Sequence, residues 1–125
     1  MLGRGDATPM VAVKDLDRAR KFYEDTLGLK EVQDFGEGFI LKSGDTKLNV
    51  YRSEFAGTNK ATTLTFDVDD IDSEVRDLKG KGIAFEQYDL QGLQREGDVY
   101  RGQNMKTAWF KDPDGNILSL IEERS

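Results

Sequence analysis

Val13-Lys14-Asp15-Leu16-Asp17, running on to Gly28, is matched half a chain later by Val68-Asp69-Asp70-Ile71-Asp72, running on to Gly82. Each stretch passes from an apolar, strand-like run to an aspartate that can cap a helix. Apolar residues at three- and four-residue intervals follow, and then a glycine suited to the left-handed position at a helix end. In the first copy Leu16, Ala19, Phe22, Tyr23 and Leu27 predict a helix over 15–27; in the second, Ile71, Val75 and Leu78 predict one over 70–79. The chain states one strand-to-helix unit twice, and two copies are too few for a solenoid.

Outward from these helices the two halves keep the same order. Residues 10–13 read as a strand entering the first helix, and strands over 29–33, 38–42 and 47–52 follow it, the last two joined by Ser43-Gly44-Asp45. The second half offers strands over 62–68, 83–88, 106–111 and 117–122, the last two joined by Asp112-Pro113-Asp114-Gly115-Asn116. Residues 89–103, polar and glycine-containing, have no twin and are expected to be a loop, a candidate lid. The expected fold is α+β: two tandem βαβββ modules forming an open, cleft-containing, barrel-like mixed sheet with the helices outside. Within one domain, residues 1–7 are expected to be a flexible leader, 8–52 the first module, 53–61 a linker and 62–125 the second module.

Composition narrows the function. The chain has 125 residues, 24 acidic against 18 basic, and the net charge of −6 repels phosphate backbones and anionic lipid. Nucleic-acid and membrane partners are therefore not expected. There is no cysteine, which removes disulfides, zinc-thiolate sites and cysteine nucleophiles, and no histidine. Met1-Leu2-Gly3-Arg4-Gly5-Asp6 has no apolar signal-type core, and no run approaches the ~18 apolar residues of a membrane span. The expected location is the cytoplasm.

The stretches Asp15-Leu16-Asp17-Arg18-Ala19-Arg20-Lys21-Phe22-Tyr23, Leu27-Gly28-Leu29, Val68-Asp69-Asp70-Ile71 and Phe110-Lys111-Asp112-Pro113-Asp114-Gly115-Asn116 carry a resemblance to a known family. They resemble the vicinal oxygen chelate superfamily, which includes glyoxalase I, extradiol dioxygenases, and fosfomycin and bleomycin resistance proteins. Each stretch also has a structural reading, as sheet cover, helix stop or turn, so these residues locate the fold and the chemistry belongs on the concave face.

Metal-dependent members of that superfamily carry ligands on the first and fourth strand of each module. Counted seven residues before Asp15 and at the twin positions, these fall on Thr8, Asn49, Thr63 and Ser119. Transition metals need imidazole, thiolate or carboxylate donors, and hydroxyls with one amide supply neither the charge nor the field. The chain is thus expected to be a metal-less member, with no metal ligands and no cofactor.

Strand alternation adds Met10, Ala12, Lys47, Tyr51, Thr65, Asp67, Ile117 and Ile121 to the same face, with Ala84, Glu86 and Tyr88, while Trp109 turns inward and Phe110 outward. The candidate ligand-binding set is Thr8, Met10, Asn49, Tyr51, Thr63, Thr65, Trp109 and Ser119. Aromatic walls over a neutral hydrogen-bonding floor suit a flat organic ligand, cationic if Asp67 and Glu86 line the cleft. Similarity to bleomycin resistance proteins implies a homodimer that sequesters a small molecule, and metal-dependent glyoxalase or dioxygenase activity is not expected. The alternative is a metal-independent lyase or isomerase in which Asp67, Glu86 or Tyr88 moves a proton.

Overall fold

The computed structural model describes residues 2–123. The chain divides into two units, the first ending at Gly57 and the second beginning at Thr58. Each is an α+β assembly on one mixed sheet, as the repeated pattern requires. No helix among the described residues is long and apolar enough to cross a membrane.

The first unit comprises β1 (Met10–Val13), α1 (Leu16–Arg20) with a π-helical continuation (Lys21–Thr26), β2 (Lys30–Asp34), β3 (Gly38–Ser43) and β4 (Thr46–Arg52). Its sheet order is β1-β4-β3-β2, with β1 parallel to β4 and the other pairs antiparallel. Alternation sends Val11, Val13, Phe39, Leu41, Leu48 and Val50 to a buried face. Asp15 caps α1, its carboxylate accepting from the backbone N–H of Asp17 at 3.0 Å and of Arg18 at 3.1 Å. The wide turn brings the Leu27 N–H to the Phe22 carbonyl, and Gly28, at φ +80°, lets Leu29 N–H reach back to Tyr23. The predicted helix over 15–27 is present in extent, its second half wound wider than the apolar spacing suggested.

One residue of β2 is out of step. The register pairs Glu31 with Leu41 but Gln33 with Ile40, so Val32 is an extra residue, and Glu31 and Asp34 fall on one face instead of two. From α1, Arg20 reaches both carboxylates, at 2.7 Å to Glu31 and 2.5 Å to Asp34, with its guanidinium 4.5 Å from the centre of the Phe39 ring. The fork of donors on one arginine thereby ties the helix to the outermost strand. The hydrogen bond that Arg20 donates to Glu31, with the neighbouring carboxylates, raises the Arg20 pKa above its usual value, against the opposing effect of burial.

The second unit comprises β5 (Thr62–Asp67), α2 (Ile71–Gly80), β6 (Phe85–Glu86), β7 (Gln94–Glu96), β8 (Val99–Gly102), β9 (Met105–Lys111) and β10 (Ile117–Glu123). Asp70 caps α2 through the Ser73 N–H, and the Ile71 N–H donates to the buried Glu122 carboxylate at 2.9 Å. Ile71, Val75 and Leu78 cover the face bearing Leu118, Leu120, Phe110 and Phe85. Asp112, also buried, accepts from the backbone N–H groups of Asp114 and Asn116, each at 2.9 Å, which closes the β9–β10 turn.

Two sequence expectations are corrected in this unit. The strand expected over 83–88 shrinks to Phe85–Glu86, and the stretch 89–103, expected to be a loop, holds the β7–β8 hairpin. The two share the place beside β9: β6 pairs with Phe110 and Trp109, β8 with Thr107, Lys106 and Met105. The cause is local. The Tyr88 N–H donates to the Tyr100 hydroxyl, which donates to the Tyr88 carbonyl at 2.8 Å, so this backbone is satisfied without a ladder partner and β6 stops short.

Replacing Arg20 with Met keeps an apolar stem over Phe39 and removes the fork. The half-exposed Asp34 contributes little, so the expected loss is about 1–2 kcal/mol, read as a lower urea midpoint at unchanged slope. A loss within about 0.3 kcal/mol would show that the clamp holds nothing.

Candidate functional site

Opposite α2, the second sheet presents a different surface. Register aligns Thr65, Ser119, Trp109 and Glu86 in one row across four strands, and Asp67, Ile121, Thr107 and Tyr100 in the next. The hydroxyls of Thr65 and the buried Ser119 lie 2.7 Å apart, and the buried Thr107 hydroxyl donates to the Leu120 carbonyl at 2.9 Å. Trp109 turns to this face and Phe110 to the other, as alternation predicts.

Trp109 stands between two tyrosines. The Tyr88 ring meets it edge-on at 5.5 Å and the Tyr100 ring at 5.3 Å, and its indole N–H donates to the Thr62 hydroxyl at 3.2 Å. Tyr100 is 2% exposed, whereas Tyr88 and Trp109 are half-buried. Glu86 is held by Lys111 at 3.3 Å. Burial, and next the Glu86 carboxylate, push the Tyr88 phenol above its ordinary 10.0, with Lys111 opposing them.

β5 carries its own irregularity. Thr62 pairs with Ile117 and Leu64 with Leu118, so Thr63 is passed over and Thr62 takes its place on the Trp109 face. Thr63 is half-buried, with its hydroxyl oxygen enclosed and unpartnered, and the Tyr88 hydroxyl shares that condition. An enclosed polar atom without a partner costs about 1–3 kcal/mol, so such atoms are few in folded proteins.

In the first sheet the face opposite α1 bears Met10, Ala12, Ile40, Asn49 and Tyr51. Asn49 donates through Nδ2 to the Met10 sulfur at 3.4 Å, and its Oδ1 is buried without a partner. Gly38, opposite Tyr51, has the Phe35 ring where a side chain would stand: a Cβ there would lie 2.7 Å from that ring. Met10 is 51% exposed and Phe35 46%.

Of the expected binding residues, Met10, Asn49 and Tyr51 gather on the first sheet, and Thr65, Ser119 and Trp109 on the second. Thr8 is exposed and precedes β1, and Thr63 sits at the register shift. Among the alternative proton-transfer residues, Glu86 and Tyr88 adjoin Trp109, while Asp67 is exposed on the edge strand β5, in the neighbouring row and two strands from Trp109. Sequence reasoning missed Thr62, Lys111 and Tyr100. The signal for Tyr100 was Gly97-Asp98, a two-residue hairpin turn with Gly97 at φ +62°.

The four positions where resemblance implies metal ligands do not suit a transition metal. Ser119 is tied to Thr65, Asn49 to Met10, and no donor among the four carries charge. Among the described residues no group of three or more His, Cys, Asp or Glu could hold a metal ion.

Comparison with known proteins gives a consistent picture. The model of the Glyoxalase/Bleomycin resistance protein/Dioxygenase superfamily matches residues 7–120. The uncharacterized protein YraH of Bacillus subtilis (strain 168) is 25% identical over 88% of this chain and 91% of its own length. Among solved structures, a glyoxalase family protein from Enterococcus faecalis superposes with TM-score 0.74 at 21% identity, covering 98% of this chain and all of the other. The fosfomycin resistance protein FosX from Listeria monocytogenes superposes with TM-score 0.71 at 14% identity over 96% and 93% of the two chains. At these identities the structures share the fold.

Trp109 is the chain's single tryptophan and so reports on this face alone. The fold favours the neutral Tyr88 phenol, so that contribution to stability is intact below pH 10.0 and is lost as the pH rises through the raised value. An alkaline titration of Trp109 fluorescence is expected to show a quenching step, from tyrosinate at Tyr88, centred above 10.0 and missing in Tyr88→Phe. A step at or below 10.0 would contradict the burial of this phenol.

Proposed function

Because the chain belongs to the Glyoxalase/Bleomycin resistance protein/Dioxygenase superfamily, we propose that it binds and sequesters a small organic molecule without a catalytic metal. The observation that carries this reading is the coincidence of two sets chosen independently. Of the four positions counted as ligand-bearing, Asn49 and Thr63 each enclose an oxygen with no hydrogen-bond partner. Positions that in metal-dependent relatives hold an ion hold neutral groups here; Ser119 is satisfied by Thr65 and Thr8 is exposed, while Asn49 and Thr63 keep an oxygen free to accept or share a hydrogen bond. Neutral donors and acceptors select an organic ligand by hydrogen bonding and shape, not by charge neutralisation.

Trp109 with Tyr88 supplies a flat, partly exposed aromatic surface on the second unit, which supports a ligand with a planar, apolar portion. The net charge of −6 and the exposed Asp67 favour a cationic ligand over an anionic one, although Glu86, paired with Lys111, adds little to that preference. The family resemblance adds a homodimer to the proposal.

A second reading, a metal-independent lyase or isomerase, is favoured by one feature. The Tyr88 hydroxyl is enclosed, unpartnered and kept protonated, as a general acid would be. Asp67 and Glu86 are the candidate bases in that reading.

Native mass spectrometry of freshly purified protein is expected to give a dimer with an organic adduct, or one that accepts an added ligand, and no stoichiometric metal. A stoichiometric divalent ion would overturn the proposal. Trp109→Ala is expected to weaken binding at least about tenfold, as loss of a central aromatic anchor does, and Tyr51→Ala tests the first unit in the same way. If Asp67→Asn, Glu86→Gln or Tyr88→Phe abolishes a turnover while preserving binding, the enzymatic reading takes precedence.

A further inference from the structure

The β7–β8 hairpin has no twin in the first unit, and its one large buried side chain, Tyr100, does two things at once. Its ring packs edge-on to Trp109 at 5.3 Å, and its hydroxyl both donates to the Tyr88 carbonyl at 2.8 Å and accepts from the Tyr88 N–H. A single hydroxyl therefore occupies both backbone groups of Tyr88, which a neighbouring strand would otherwise take. The Tyr88 ring, fixed in this way, stands edge-on to Trp109 at 5.5 Å. The three rings and two hydrogen bonds form a closed circuit in which each element holds the next.

We propose that Tyr100 is the positioning residue of this face. It fixes Tyr88 against Trp109, and the hairpin that carries it is the element by which the second unit selects a flat, neutral or weakly cationic aromatic ligand. The inference rests on the binding reading given above and deepens it. Preorganisation is the physical reason: a surface already held in its bound geometry loses less freedom when a ligand arrives. Backbone pinning by a side chain also explains why residues 87–93, without ladder pairing, can present Tyr88 at a fixed place. Leu93 adds to the support, since a Cβ on Gly102 of β8 would lie 2.7 Å from its Cδ2.

The test compares Tyr100→Phe with Val99→Ala, a change of a buried neighbour on the same hairpin that lowers stability without touching the circuit. The probe is 4-methylumbelliferone, a flat bicycle whose absorption overlaps tryptophan emission, so that binding beside Trp109 quenches it. Tyr100→Phe is expected to weaken the probe about fivefold, the scale of a lost hydrogen bond, and to alter the near-ultraviolet circular dichroism of Trp109. Val99→Ala is expected to leave both unchanged. Equal effects of the two variants would reduce Tyr100 to ordinary core and overturn the inference while leaving the binding reading in place. No quenching of the unaltered protein at saturating probe would overturn the binding reading for this face, and the inference with it. Hydrogen exchange on the unaltered protein gives an independent check: the Tyr88 amide is expected to exchange much more slowly than the amides of residues 89–92, and equal rates would overturn the pin.

Discussion

Both sheets depend on one constraint, that successive side chains of a strand leave on opposite sides. It separates an apolar face under each helix from a mixed aromatic and polar face opposite. Where the constraint is broken, it is broken by one residue and for a visible effect. The extra residue at Val32 puts Glu31 and Asp34 together so that Arg20 can hold both, and the shift at Thr63 hands the Trp109 face to Thr62. Neither shift disturbs the helix-facing core, because register resumes on the next pair.

Much of this was legible in the chain. Asp15 and Asp70 announced two helices, and both aspartates accept helix N–H groups. The Ser43-Gly44-Asp45 turn fixed the β3–β4 pairing, and alternation placed Trp109 and Phe110 on opposite faces. The register shifts were not legible, because an extra residue leaves composition unchanged and moves only the phase. Tyr100 was hidden for a related reason. Gln94, Arg95 and Glu96 are all exposed, so their strand shows no alternation, although Gly97-Asp98 repeats the Gly44-Asp45 chemistry that was read correctly in the first half. A turn is recognisable only when the strands beside it carry a pattern.

The two units solve one problem with different means. In the first, a salt-bridged arginine ties the helix to the outermost strand. In the second, the Glu122 carboxylate holds the head of α2, ion pairs join Asp72 to Lys106 of β9 and Lys79 to Asp98 of the hairpin, and the outer strand position is divided between β6 and β8. The two units thus share a strand-helix-strand order while the interactions that secure it differ in placement. At the four positions compared between the halves the side chains are neutral, and the chemistry available there is hydrogen bonding, not charge.

The hairpin's place in the sheet has an evolutionary consequence. Its strand β8 meets β9 at three register pairs and its strand β7 meets only β8. Changes in its sequence reach the aromatic face through Tyr100, while its turn is tied to α2 through the Lys79–Asp98 ion pair at 2.7 Å. Residues 89–103 can therefore vary at the β7 edge without altering the β5-β10-β9 core of the sheet, provided that Tyr100 and the Asp98 anchor to α2 are kept.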